Sequence, residues 1–349
     1  KGTGDFEMSL SNAGFFGAGS VDYLTTHLTS SKFLLLLDSM NTVADDVVVT
    51  KSALFPSATT HSAYVEWRPY KDTMNIFQQK EPFAMYENKV SMIGNLIITP
   101  KGMGGAGTTS FDDAEISSKN FAFANHTFSS NVATFKIKSV DPNKFAFNAT
   151  NVKAFVDMEK RYADFKANKE PANVELPYNM YRSTLSDMTW KIDEKKIILN
   201  AGKTQKPANA VFISTLYEQD SLNFMSATAL FDLKTYVLTC SKVPYIYVAD
   251  SKIIPDSNKV VINQNAVMNT LYKCLLKTDT VNNYHELYNC SINILGRRSM
   301  TGNGYYNFTD KLKNKQVVYF GDIRVNNDKQ TTAKAVIADT SAFVINRHF

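Results

Sequence analysis

The sequence predicts an all-β chain, an elongated solenoid-like or stacked β-jellyroll array of weakly repeated units. Three observations predict it. Apolar and polar residues alternate with period two in one stretch after another, the periodicity of a strand with one buried face. Aromatic residues, which favour pleated surfaces, are abundant, with 23 Phe and 17 Tyr in 349 residues. A glycine-centred segment also recurs, with Gly17-Ala18-Gly19 returning 88 residues later as Gly105-Ala106-Gly107.

In chain order, the first repeat-like unit lies near residues 12–35 and the second near 100–123. The shared offset also pairs Gly14 with Gly102, Tyr23 with Phe111, Leu28 with Ile116, Ser30 with Ser118 and Phe33 with Phe121. A fainter third unit, near 297–320, carries Gly302-Asn303-Gly304 and Phe308. A phosphate loop is excluded, because no Gly-Lys-Ser/Thr follows these glycines and alternating strand residues stand where a helix would begin. The glycines are expected where strands bend, bulge or pack closely.

Ala63–Arg68, Lys259–Met268 and Gln316–Val325 read as strands, and Met188–Ile192 with Lys196–Leu199 as a hairpin. Tyr305–Phe308 and Val317–Phe320 read as a second hairpin. Turn clusters such as Pro171-Ala172-Asn173 and Pro207-Ala208-Asn209 separate such runs. Val152–Lys169 carries helix-favouring residues, yet Val152, Ala154, Val156 and Met158 alternate and Lys160-Arg161 fits a hairpin tip, so strands are expected. A short helical turn is expected within Met180–Asp187. The whole of 1–349 reads as one continuous β-rich array. Its opening, KGTGDFEMSL, reads as a processed chain or a segment of a longer one.

Composition narrows the function classes. The chain is 44% hydrophobic and 20% charged, which is the composition of a folding sequence. Its net charge is only +5 and no basic stripe occurs, so nucleic acid is not an expected partner. The longest apolar run, Phe33–Leu37, is far too short for a membrane helix. Cys240, Cys274 and Cys290 form no CxxC pair and read as buried free thiols. The five histidines show no ligand spacing, so no metal is expected, and no cofactor motif or GxSxG elbow appears.

Candidate ligand contacts are few. Trp67 and Arg68, with Tyr64, Tyr70 and Phe77 nearby, could stack against and bind sugar rings. Arg297 and Arg298 at a strand end, with Lys273 in the same region, could bind an acidic sugar. The alternatives are core packing for the aromatics and a solvated strand terminus for the arginines. An enzyme, such as a β-helix polysaccharide lyase or glycosidase using Arg298, Lys273 and an acidic partner, is the alternative to a non-catalytic chain. A carbohydrate-binding module built on Trp67 is a third reading.

Two resemblances bear on setting. The triplets Asp38-Ser39-Met40, Asp72-Thr73-Met74, Asp220-Ser221-Leu222 and Asp279-Thr280-Val281 resemble the O-glycosylation sequon of exported Bacteroidota proteins, which makes Ser39, Thr73, Ser221 and Thr280 candidate acceptors. Residues 218–268, with Glu218–Phe224, Ala229–Asp232 and Tyr236–Val243, are similar to the OstA-like repeats of lipopolysaccharide-transport proteins. Tyr245–Asp250, Ile254–Ser257 and the Gly-rich units resemble large Bacteroidota cell-envelope proteins. The resemblance implies an exported chain, periplasmic or associated with the outer membrane. It implies no catalytic residues. The expectation is a non-catalytic structural or binding segment that cradles a lipid or glycan, with other segments of the same or neighbouring envelope proteins as partners.

Overall fold

The computed structural model describes residues 7–141, 144–279, 285–311 and 313–337. The chain is all-β, with antiparallel pairing throughout the described strands and helical structure confined to short 3-10 turns. It divides into two compact units, residues 1–168 with 189–194, and 169–188 with 195–349.

The first unit is a meander. Its strands are β1 (Glu7–Ser11), β2 (Gly14–Tyr23), β3 (Thr26–Leu35), β4 (Met40–Val49), β5 (Ala58–Arg68), β6 (Thr73–Phe77), β7 (Phe83–Met85), β8 (Val90–Thr99), β9 (Gly102–Phe111), β10 (Ala114–Phe123), β11 (Thr127–Lys138), β12 (Phe145–Asp157) and β13 (Tyr162–Ala167). Each pairs with the next, except that β6 and β7 lie end to end between β5 and β8. The strand reading of Val152–Lys169 holds, since β12 and β13 pair across a turn at Met158–Arg161.

Most of these strands are about ten residues long and change phase midway. In β3, Thr26, Leu28 and Ser30 are buried, Ser31 and Lys32 are exposed, and burial resumes at Phe33. In β4 the break falls at Asp45-Asp46, in β10 at Lys119-Asn120, and in β11 at Asn131-Val132. Two consecutive outward residues switch the buried face and let both halves of the strand bury one. Between β2 and β3, β9 and β10, and β11 and β12 the register shifts there as a bulge, which kinks the strand, whereas β4 keeps one register with β3 and β5. Repeated strand after strand, the kink folds the sheet over. Tyr23, Thr26, Val49 and Ala58 lie in one row of the ladder. Trp67 stands nine residues further along β5, about 30 Å away on a flat sheet. Yet the Tyr23 and Trp67 rings are 5.5 Å apart.

The repeated glycines occupy this row of kinks. The register shifts between Gly17 and Gly19, and between Ser118 and Phe121 opposite Gly107 and Gly105. Gly94 and Gly107 face each other across β8 and β9 at φ +145° and +147°, and a Cβ on either would run into the facing backbone carbonyl. Inside the fold the space is filled by Phe111, Phe121, Phe123, Phe128, Phe135 and Trp190, with Phe135 stacked on Phe165 at 3.9 Å.

The second unit holds β14 (Asn173–Leu176), β15 (Tyr181–Ser183), β16 (Asp187–Lys191, divided between the units), β17 (Lys196–Asn200), β18 (Val211–Ser214), β19 (Asn223–Met225), β20 (Thr228–Asp232), β21 (Val237–Ser241), β22 (Ile246–Val248), β23 (Ser251–Ile254), β24 (Lys259–Ile262), β25 (Leu271–Thr278), β26 (His285–Gly296), β27 (Ser299–Thr309), β28 (Lys315–Val325) and β29 (Thr331–Lys334). Its strands form two ladders. One runs β14-β15-β18-β19-β22-β23-β25-β26-β27-β28-β29, and the other β17-β20-β21-β24. From β17 to β24 the chain passes back and forth between them.

Buried carboxamides join the two ladders. Asn179, the last residue of the 3-10 turn Pro177–Asn179, donates from Nδ2 to the carbonyls of Tyr236 (2.8 Å), Asn263 (3.1 Å) and Ile262 (3.2 Å). Gln219 ends the equivalent turn Tyr217–Gln219, donates to the Ala266 carbonyl at 2.8 Å, and accepts from the Tyr181 hydroxyl. Two expectations shift here. The helical turn expected within Met180–Asp187 lies earlier, at Pro177–Asn179, where proline presets φ. The strand expected over Lys259–Met268 ends at Ile262, because Asn265 and Ala266 adopt left-handed φ in a 3-10 turn.

Candidate functional site

Two-residue hairpin turns build a cationic cleft in the second unit. Gly296 pairs with Ser299, so Arg297 and Arg298 form the β26–β27 turn. Val248 pairs with Ser251, which places Ala249 and Asp250 in the β22–β23 turn. These four residues, with Tyr247 and Lys329 of the β28–β29 turn, line a cleft of about 540 Å³.

The arginine turn is fixed through its backbone. Arg297 donates its N–H to the Gln219 carbonyl at 3.0 Å, and its own carbonyl accepts from Ala249 at 2.8 Å. Arg298 Nε meets Asp220 Oδ2 at 3.1 Å, with both side chains about half exposed. The carboxylate within the cleft is engaged elsewhere, since Asp250 Oδ1 accepts from the Thr331 hydroxyl at 2.6 Å and from its N–H at 2.9 Å. Arg297, Arg298 and Lys329 thus share a cleft with Asp250, whose Oδ1 is held by Thr331, while Arg298 is paired with Asp220, so the excess of positive charge is small. Tyr247, 48% exposed, stands edge-on to Tyr245 at 4.9 Å, and Lys252 Nζ lies 4.2 Å over the Tyr245 ring. Cations beside an exposed aromatic face suit a ring-shaped anionic ligand such as an acidic sugar.

The other predicted contacts are not brought to this cleft. Lys273 sits at a bulge of β25 with φ +54°, level with Cys290 to Ile292, five or more residues from Arg297 and so on the order of 16 Å along β26. Lys273 does not line the cleft that Arg298 lines. Trp67 points inward with Val65 and Ala63, whereas Tyr64, Glu66 and Arg68 alternate to the opposite face; Arg68 Nε pairs with Glu66 at 2.8 Å. The period-two pleat thus separates the tryptophan from the residues that would complete a sugar platform. The Trp67 indole N–H and the Tyr23 hydroxyl are buried without a partner. In the first unit several surface carboxylates are paired, Asp112 with Arg161 at 3.1 Å, Asp193 with Arg161 at 2.9 Å and Asp46 with His61. Among the described residues no group of three or more His, Cys, Asp or Glu could hold a metal ion, and no helix is long and apolar enough to cross a membrane.

Of the candidate acceptor hydroxyls, Ser39 and Ser221 lie between strands and Thr73 opens β6. Ser39 and Thr73 are half-buried, with Thr73 Oγ1 donating to the Lys71 carbonyl at 2.9 Å, and Ser221 is exposed; Thr280 lies outside the described residues. Asp72 and Asp220 each follow a 3-10 turn in the left-handed region, at φ +47° and +50°, and Asp279 has φ +52°. Aspartate tolerates that conformation better than most residues, so turn geometry accounts for the recurrence of three of the four triplets.

The two-ladder alternation, Gln219 and Asn179 carried no signal in the sequence, since isolated amides in turn-like segments are common. No protein-family model matches the chain, and no curated protein or solved structure is significantly similar to it.

Proposed function

We propose that the chain is a non-catalytic structural and binding module of an exported cell-envelope protein, and that it holds an acidic glycan at the Arg297–Arg298 cleft. The observation that carries this reading is the arginine turn itself. Its backbone is locked to Gln219 and Ala249, so the side chains are presented on a rigid base and beside Tyr247. The passage of the chain between two ladders through 218–268 supports the envelope setting, as a likeness to stacked OstA-like repeats. In that stretch Phe224, Phe231, Leu238, Ile246 and Ile253 are all buried against the chain's own side chains, which favours an outer-surface glycan over a lipid held within.

Affinity electrophoresis through gels containing polygalacturonate, a sulfated polysaccharide or a neutral glucan tests the reading. Retardation by the acidic polymers alone is expected, weakening with salt and falling on the order of tenfold in the double variant R297A/R298A. Equal mobility in all gels would overturn it, and new unsaturated ends in the polygalacturonate would replace it with a lyase. Fractionation of the source cells tests the setting separately, and recovery in the cytosol alone would overturn it.

A further inference from the structure

Cys274 on β25 and Cys290 on β26 are direct partners across the antiparallel ladder. Opposed residues in such a pair have Cα atoms about 4.5–5.5 Å apart, within the span a disulfide bridges. Cys274 Sγ lies 3.3 Å from the Cys290 carbonyl oxygen, both residues are fully buried, and both are thiols in the structure. The contact with the Cys290 thiol, together with burial, pushes the Cys274 thiol far above its usual range.

The surroundings leave room for this pair. Gly304 of β27 sits where a Cβ would collide with Cys290 Sγ, so the second glycine of the third repeat-like unit vacates the space the thiol occupies. The ladder is irregular on both sides of the pair, with register shifts between Leu271 and Cys274 and between Cys274 and Leu276, and with Lys273 and Asn289 at φ +54° and +48°. The third cysteine is placed differently. Cys240 on β21 faces Ala229 and Val260 in the other ladder of the unit.

We infer that Cys274 and Cys290 form a cross-strand disulfide site, closing the β25–β26 hairpin in an oxidising compartment while Cys240 remains a thiol. The step exchanges one disulfide for another. One thiolate attacks a sulfur of an oxidised low-molecular-weight disulfide and releases one thiol; the second cysteine then attacks the mixed disulfide and releases the other. Two protein thiols are oxidised, one external disulfide is reduced to two thiols, and the protein loses two hydrogens. Burial places the reaction during folding or local opening of the hairpin. This inference is independent of the glycan cleft.

The test is refolding of the full chain from denaturant in an oxidised/reduced glutathione buffer, followed by alkylation under denaturing conditions and peptide mass spectrometry. One alkylated cysteine, Cys240, and one linked peptide pair joining Cys274 to Cys290 are expected. The linked form should melt at a higher temperature than the same sample after reduction, and C240S should form the same link. C274S and C290S should leave every remaining cysteine unlinked. Three alkylated cysteines at an oxidising poise, a link to Cys240, or glutathione adducts alone would overturn the inference.

Discussion

Ser30 Oγ stands 2.7 Å from Thr42 Oγ1, with both side chains buried where β3 kinks against β4. Ser30 also accepts the Lys32 N–H at 3.1 Å and reaches the Val43 carbonyl at 3.0 Å, so one hydroxyl serves the groups that the bulge removes from the ladder. Eighty-eight residues later Ser118 repeats the arrangement. Its hydroxyl lies 2.7 Å from Ser130 Oγ, accepts from Asn120 N–H at 3.0 Å and donates to the Val132 carbonyl at 2.9 Å. Replacing either serine by alanine leaves backbone groups unserved at the kink. S30A and S118A are each expected to lower stability by about 1–2 kcal/mol in urea unfolding, without change in the denaturant slope.

The glycines of the kink are not equivalent. At Gly107 the left-handed φ and the opposing Ile93 carbonyl both exclude a side chain. At Gly104 the conformation is ordinary and the nearest obstacle, the Phe121 carbonyl, is 3.1 Å from an added Cβ. G107A should therefore destabilise by roughly 3 kcal/mol or more, or prevent folding, whereas G104A should cost about 1 kcal/mol. Thermal melts of the two variants side by side provide the comparison.

Asn179 and Gln219 are buried donors to carbonyls of the opposite ladder. N179L and Q219L replace each amide by an apolar side chain and lose the donors, so each should destabilise by about 2–3 kcal/mol. Hydrogen exchange should quicken in the second unit while the amides of β8 to β12 in the first retain their protection.

Trp67 distinguishes packing from recognition. Its indole N–H has no acceptor, so W67F should change stability by no more than about 0.5 kcal/mol, while W67A should cost roughly 2–3 kcal/mol through its contact with Tyr23. Neither change should alter retardation by acidic polysaccharides.

Asp232 gives a pH signature. Burial by itself would raise its pKa, but the backbone N–H groups of Lys234 (2.8 Å) and Thr235 (3.1 Å), with Lys196 nearby, hold the carboxyl below the usual carboxylate range. A depressed folded-state pKa contributes stability that is complete above the unfolded value and is lost as pH falls through the folded one. The stability gap between the wild type and D232N should be widest near neutral pH and close progressively in acid. A gap unchanged between pH 7 and pH 3 would assign it to hydrogen-bond geometry instead of charge.

Period two by itself determined that this chain is β-structure, that Val152–Lys169 turns back at Lys160-Arg161, and that Gly17-Ala18-Gly19 and its later copies are structural. Those properties are local. A strand reports its own buried face, and a glycine reports a conformation or a close approach at its own position. Tertiary structure alone decided the rest. Folding along the row of bulges brought Tyr23 onto Trp67, and ladder register set Cys274 opposite Cys290. Passage between two ladders carried Asn179 to carbonyls 57 to 84 residues away, and hairpin turns gathered Arg297, Arg298 and Lys329. Each of these depends on strand register, where a slip of a single residue would turn every side chain to the other face, and alternation along one strand does not name its partner.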